Sequence, residues 1–421
     1  MPFNSFSAAL SALSADTTAI DVVGNNLANL STTGFKASTV SFQDLVTESL
    51  GAGLGETQVG FGVGVPLTTR QFTQGALQST GGVDDAALQG SGFFVATDPT
   101  GAQLYTRAGN FDVDANGNLL TQSGAAVQGW TAVNGVLNTN APIANITVPI
   151  GTLQAPIATT QVQASLNLNA AATVGSTNAS YSTPLTAIDS LGTSHVLTLS
   201  FTETAAGAWN YSVSIPGQDL TSGTAGTPTV LTTGTINFDS SGNLTTPPAS
   251  AGPIAITAAG LTDGAADLNL NWNLYDANQT PLITQFAQES AVSANSQNGQ
   301  AAAQLSSVAI TDGGQILAQY SNGQQAVVAQ LAVASIRNPT SLLAIGNNNY
   351  EASSLTALPA IGTANTGGRG QVLGGQLESS TVDIATEFTN LIIYQRGYEA
   401  NAKVVNTANQ LSQDTINLIQ G

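Results

Sequence analysis

The chain has 421 residues, of which 42% are hydrophobic and only 8% charged, enough apolar side chain to bury cores in two or more domains. Aspartate and glutamate outnumber lysine and arginine by 25 to 7, and the formal net charge of −18 disfavours nucleic acid and anionic lipid as partners. Cysteine is absent, which excludes disulfides and thiolate metal sites.

The first twenty residues lack a basic leader and are interrupted by Asp16, with Asp21 following, so they do not read as a secretory signal. No run of about 18 apolar residues occurs, so no membrane-spanning helix is expected. Instead Phe6, Leu10, Leu13, Thr17, Ile20, Gly24 and Leu27 recur at spacings of four and three, one stripe of a helix. Asn25, Asn26 and Asn29 are poor helix formers and bring hydrogen-bonding groups to its end. Gly34 then permits a turn and Phe35 anchors the next segment.

The glycine-rich stretch Gly51–Val65 matches neither the dinucleotide fingerprint nor the phosphate loop and reads as a flexible connector. Adjacent Asp84 and Asp85 raise acid–base catalysis, but neighbours on a strand point to opposite faces, so solvated turn residues are expected. Strand patterns then take over. Asn110–Thr121 and Ile236–Thr246 are hairpins around Gly-Asn turns, and Val308–Ile336 holds two more. The run from Asp112 imitates a calcium loop, yet its twelfth position is Ser123 where a bidentate glutamate is needed. The stretches Ala170–Ser182 and Gly217–Thr235 read as domain edges and loops. The single histidine, His195, lies in a strand-like run and reads as a strand-surface residue. With no second histidine and no cysteine, no metal site is expected, and no catalytic or cofactor-binding residue stands out.

At the far end Val404, Ala408, Leu411, Thr415 and Leu418 form a second helical stripe, widened by Phe388, Leu391, Ile392, Tyr394 and Tyr398. Ser380 with Asp383 reads as a capping box, and Glu399 with Lys403 as an i,i+4 ion pair. Both stripes mix in small residues that suit close helix contact, so the terminal helices are expected to form one coiled unit that assembles between chains.

Three ordered motifs carry a resemblance. "NNLANLSTTGFKAS" (Asn25–Ser38), with Thr33, Gly34, Phe35 and Lys36, resembles the N-terminal signature of the bacterial flagellar rod and hook axial proteins. "LESSTVDIATEFTNLIIYQRGYEANAKVVNTANQL" (Leu377–Leu411), with Gln395, Arg396, Tyr398 and Asn401, is similar to the family's other end. Gly90–Trp130 is similar to its first shared β-domain segment. Gly397 departs from the alanine often found there. The span of about 154–288 is an extra β-rich region, and that length favours the hook branch over the shorter rod proteins.

The resemblance implies a non-enzymatic, extracellular subunit of helical coiled ends plus mainly antiparallel β domains, the outer inserted into the inner. It implies polymer-core helices at 1–35 and 376–421, a connector at 36–74, an inner β domain at 75–153 and 289–375, and an outer one at 154–288. Phe6, Leu10, Leu13, Ile20, Leu27, Phe388, Leu391, Tyr398, Val404, Leu411 and Leu418 would be the polymerisation residues. The implied partners are other copies of the chain, rod proteins, the hook cap, hook–filament junction proteins and the flagellar type III export apparatus. A distal-rod subunit and, more remotely, a secreted carbohydrate-active β-protein are the alternatives.

Overall fold

The computed structural model describes residues 2–45, 47–50, 57–133, 135–151 and 153–420. The chain divides into two compact units, one of residues 1–150, 307–319 and 325–421 and the other of 151–306 and 320–324.

In the first unit, helix α1 spans Pro2–Ala28 and helix α2 spans Ile384–Gln420. Proline suits the opening position of α1, where the missing N–H has no helical partner. Asp383 caps α2, its carboxylate accepting the Thr386 amide at 2.8 Å. Ser380 lies outside the cap and accepts only the Val382 amide, so the expected capping box is not formed. Glu399 pairs with Arg396 at 2.8 Å, not with Lys403.

The helices run antiparallel, with Asn26 against Glu387 and Asp16 against Asn401. The face of α1 turned inward is built on Ala9, Ala15, Ala19, Val23 and Asn26, all buried, and α2 answers with Glu387 and Ala408. Small side chains let two helix backbones approach closely. Gly397 extends that rule, because a Cβ there would stand 3.2 Å from the Asp16 carboxylate. Alanine is accommodated only if Asp16 gives way, which supplies a reason for glycine at this position.

Beyond α1 the chain forms an antiparallel β arm, Ser38–Ser41 with Leu67–Arg70 and Thr47–Leu50 with Thr57–Gly60. The arm is tied down where the Val63 amide donates to Ser11 Oγ at 3.1 Å and the Phe42 ring meets Tyr394 at 5.9 Å. The expectation of a loose glycine-rich connector is thus corrected for its later part, and its residues 51–56 lie outside the described ones.

The sheet of this unit is woven from distant sequence. Strand Phe93–Thr97 pairs with Gln103–Thr106, Ala126–Thr131 and Val333–Ser335. Ala126–Thr131 pairs in turn with Gln325–Leu331, and Gln103–Thr106 with Asn349–Glu351. The core beneath holds Phe93, Val95, Tyr105, Trp130, Ala334 and Tyr350.

The second unit is a pair of sheets. One is an antiparallel meander of Ser180–Ile188, Ser194–Ala205, Ala208–Pro216, Pro228–Phe238 and Leu244–Thr246. Pro228–Phe238 runs through part of a stretch expected to be loop, whereas 170–179 is the expected irregular edge. The other is centred on Gln161–Asn169, which lies parallel to Leu268–Asn273 and Ile283–Phe286 and antiparallel to Ala291–Gln297. Residue 288 therefore ends the outer domain too early, since Ala291–Gln297 belongs to its sheet. Alternate side chains of each strand point inward and meet around Phe201, Trp209, Tyr211 and Trp272.

One turn chemistry recurs across the chain. Asp98, Asp114, Asp189, Asp239 and Asp276 each accept amides from the residues two and four positions on, closing a hairpin. The calcium-loop imitation at Asp112 is one of these turns, with Asp114 at its centre.

Glu203 is buried among the inward residues, its Oε2 without a hydrogen-bond partner, and burial raises its pKa above the ordinary glutamate value. The folded group holds its proton more tightly than the unfolded one. Its contribution is therefore present in acid and lost as pH rises from the ordinary glutamate value through the folded one. Glu203→Gln is expected to stabilise the second unit at neutral pH by about 1–3 kcal/mol and to leave it unchanged well below the ordinary glutamate pKa. Denaturant titrations of both chains across that pH range check the difference.

Candidate assembly face and the ion-paired joint behind it

Glu378 is fully buried and gathers four segments of the first unit. Its Oε1 accepts Lys36 Nζ at 2.7 Å and the Gly75 amide at 2.8 Å, its Oε2 faces Arg107 Nη1 at 3.3 Å, and its carbonyl accepts the Gly34 amide at 2.7 Å. Lys36 is equally buried and also donates to the Thr73 carbonyl at 2.6 Å. Arg107 reaches the Gly90 carbonyl at 2.8 Å and lies over the Phe93 ring at 5.4 Å. Burial pushes the pKa of Lys36 and of Arg107 down, and the adjacent Glu378 carboxylate only partly restores them. The exit of α1, the end of the arm, the sheet and the approach to α2 are thus fastened to one carboxylate.

The N-terminal motif builds this joint residue by residue. Asn26 donates to the Ser38 carbonyl and to Glu387 Oε1 at 2.8 and 2.9 Å, while its own oxygen accepts the Ser38 amide at 3.0 Å. Burial raises the pKa of Glu387 against the opposing pull of that Asn26 bond. Asn29 donates to the Asn25 carbonyl at 2.9 Å and accepts the Thr32 hydroxyl, closing the helix end, and Asn25 itself is exposed. The Thr33 carbonyl takes the Asn348 side chain at 2.8 Å. Gly34 has φ +69°, and a Cβ there would sit 2.7 Å from the Ala108 nitrogen, so only glycine fits. Phe35 is buried and its carbonyl accepts the Thr381 amide. In the C-terminal motif Asn401 reaches Asp16 at 3.0 Å, whereas Gln395, Arg396 and Tyr398 are exposed on α2. Glu378, Arg107, Glu387 and Asp16 escaped the sequence reading, because each acts through a partner hundreds of residues away.

The large apolar residues of the two helices are not what pairs them. Phe6, Leu10, Phe388, Tyr398, Val404, Leu411 and Leu418 are exposed, Leu10 by 55% and Leu411 by 60%, and Leu13, Ile20, Leu27 and Leu391 are half-buried. Ile393 and Ile416, absent from the sequence reading, are exposed as well. The helix pair therefore has a small-residue face satisfied within the chain and an apolar face open to solvent.

In the second unit His195 is not a surface residue. It is only 5% exposed, with Nδ1 3.1 Å from Asp219 Oδ2 and Nε2 3.1 Å from Asp189 Oδ2 and 3.8 Å from Asp263 Oδ2. Its parity along the strand places it inward with Leu197, Leu199 and Phe201. Burial works to lower the histidine pKa, but the bonds to Asp219 and Asp189 outweigh it and raise it. Burial likewise opposes ionisation of Asp189, yet its contacts with Asp263, His195 and the Thr193 and Leu191 amides bring it down to about 2. The reading that excluded a histidine-based metal set considered imidazoles and thiolates and left carboxylates out.

Four family models match the chain in order: the flagella basal body rod protein (residues 6–36), the flagellar hook protein FlgE/F/G D1 domain (87–164), the flagellar basal body protein FlaE D2 domain (158–300) and the flagellar basal body rod FlgEFG protein C-terminal region (373–418). The flagellar hook protein FlgE of Salmonella typhimurium is 33% identical over 98% of this chain and 100% of its own length. That of Treponema pallidum is 32% identical over 95% and 96%. The chain belongs to the flagellar hook protein FlgE family. It is a structural subunit of the hook, outside the cell and attached to the basal body, and it assembles with other hook and basal-body components. The crystal structure of Helicobacter pylori flagellar hook protein FlgE2 shares the fold, with a TM-score of 0.50 at 16% identity, covering 70% of this chain and 99% of that one. The distal-rod alternative is not favoured, because relatives matching the full length are hook proteins.

Lys36→Met leaves the buried Glu378 carboxylate short of its nearest cation, and breaking a buried pair from one side costs about 3–5 kcal/mol. The first unit is expected to lose that stability while the second keeps its own. Calorimetry at low and at 1 M salt, about a 3 Å Debye length, checks it: bulk ions cannot screen a fully buried pair, so the loss should persist.

Proposed function

We propose that α1 and α2 are the polymer-core helices of the hook, and that their exposed apolar face is the surface on which copies of the chain join. The observation that carries this reading is the division of the helix pair into two faces. The alanine-lined face is consumed within the chain. The face bearing Phe6, Leu10, Phe388, Leu411 and Leu418 is exposed, without an intrachain use among the described residues. Large exposed apolar surface on a water-soluble chain marks an interaction site.

In this reading the subunits polymerise helically into a flexible universal joint that passes motor torque from rod to filament. The joint at Glu378 holds the core helices, the β arm and the inner sheet together as torque crosses the subunit. The second unit is the outer domain. Rod proteins, the hook cap, hook–filament junction proteins and the type III export apparatus are the further partners. The subunit acts by shape and contact, without catalysis. The carbohydrate-active alternative needs free paired carboxylates, and Asp85 is engaged by the Thr80 hydroxyl.

Leu411→Asp tests the assignment. Burial of one leucine contributes about 1.5–3 kcal/mol per copy, and an unpaired buried carboxylate costs several kcal/mol more. Because Leu411 is exposed in the single chain, the variant monomer is expected to melt like the parent. It should be exported yet form no hooks and leave cells non-motile. Hooks of normal length by electron microscopy would show that this face is not the polymerisation surface.

A further inference from the structure

The His195 cluster has a feature that ion pairing leaves unexplained. Three carboxylates, Asp189, Asp219 and Asp263, surround one imidazole. No lysine or arginine occurs between Arg107 and Arg337, so the second unit contains no other side chain that can carry positive charge. A protonated imidazole balances one carboxylate of the three; Asp189 is buried, and Asp219 and Asp263 keep 20% and 27% of their side chains exposed.

The geometry shows where a cation would be held. Asp189 commits Oδ1 to the Leu191 and Thr193 amides at 2.8 and 2.9 Å, which aims Oδ2 at His195 Nε2. Asp219 takes Nδ1 at 3.1 Å, the outer bond that fixes a metal-binding imidazole with its Nε2 lone pair free. Nε2 and one carboxylate oxygen each from Asp189 and Asp263 all lie within 4.8 Å of one another. Ligands at the usual ~2.1 Å from a tetrahedral zinc stand about 3.4 Å apart. The observed 3.1 and 3.8 Å separations from Nε2 bracket that value. Asp263 keeps 27% of its side chain exposed, which gives an ion access and leaves room for water in the remaining position.

We propose that Asp189, His195 and Asp263 form a binding site for a first-row divalent cation of the zinc type, with Asp219 holding the imidazole from behind. One nitrogen and two carboxylate oxygens suit zinc or manganese better than calcium, which prefers oxygen alone. A proton on Nε2 fills the cation's place when metal is absent. The bound ion joins the turn after Ser180–Ile188 to the loop after Ile254–Ala258, two segments also linked by the Asp189–Asp263 contact and by Ser190 accepting the Ala266 amide.

The test uses the untagged full-length chain, stripped with chelator and titrated with zinc by calorimetry. Because His195 is the only histidine and cysteine is absent, cobalt substitution gives a visible absorption band that only this imidazole can shape. One zinc per chain is expected, with affinity cut at least about tenfold by Asp263→Asn, a partly exposed change that leaves the fold intact. The cobalt band should be lost in His195→Gln. Zinc binding equal in the parent, Asp263→Asn and His195→Gln would overturn the site and mean scattered surface carboxylates. Nitrogen NMR showing both His195 ring nitrogens still protonated under excess zinc would also overturn it and leave an ion-paired staple.

Discussion

A single buried carboxylate governs the first unit. Glu378 has no water to solvate it, so its charge is tolerable only while Lys36, Arg107 and the Gly75 amide stand around it. Those groups come from three stretches of chain and Glu378 from a fourth, and sliding any one of them strands a charge in a low-dielectric interior. The cost of misplacement is several kcal/mol, whereas the net stability from a buried ion pair is commonly small. What the cluster supplies is a fixed geometry. It ties the exit of α1, the end of the arm, the sheet and the approach to α2 to one carboxylate.

The helix pair obeys the same constraint on charge. α1 carries Asp16 and Asp21, and α2 carries Glu387, Glu399 and Asp414 against Arg396 and Lys403, so the helices hold few of the eighteen net negative charges. Asp16 and Glu387 are engaged by Asn401 and Asn26. The outward face is left nearly neutral and apolar, which lets identical acidic chains approach where repulsion is weakest. An intrachain contact made of alanine is compatible with that outward face, because the leucines and phenylalanines are not needed to hold the pair.

Much of this was legible in the sequence where the controlling interactions are local. The 3.6-residue period marked both helices, and Gly-Asn turns marked the hairpins, where the controlling contacts span only a few residues, as in the Asp114 carboxylate bonding amides two and four residues on. The alanine face of α1 is as periodic as the leucine one, yet a reading weighted by hydrophobicity selects the larger side chains and assigns them the nearest partner. Glu378 was illegible because its cations lie 342 and 271 residues away, and a lone glutamate beside a strand looks like any solvated one. The outer boundary was misplaced because Ala291–Gln297, polar and exposed, lacks the alternation that signals a strand. His195 was misjudged although its parity with Leu197 and Phe201 was available, since residue type was given more weight than position.

All seven lysines and arginines fall in the first unit, and the second holds eight acidic residues with no fixed positive charge. Copies of the second unit therefore repel one another over about a Debye length of 10 Å at 0.1 M salt, which opposes adhesion between them. The helix pair is the opposite, carrying little net charge and exposing large apolar side chains. Repulsion between copies is thus concentrated in the second unit, and exposed apolar surface in the helix pair of the first. A divalent ion at His195, taking the place of the Nε2 proton, would remove one net negative charge from each copy of the second unit and so weaken the repulsion between copies.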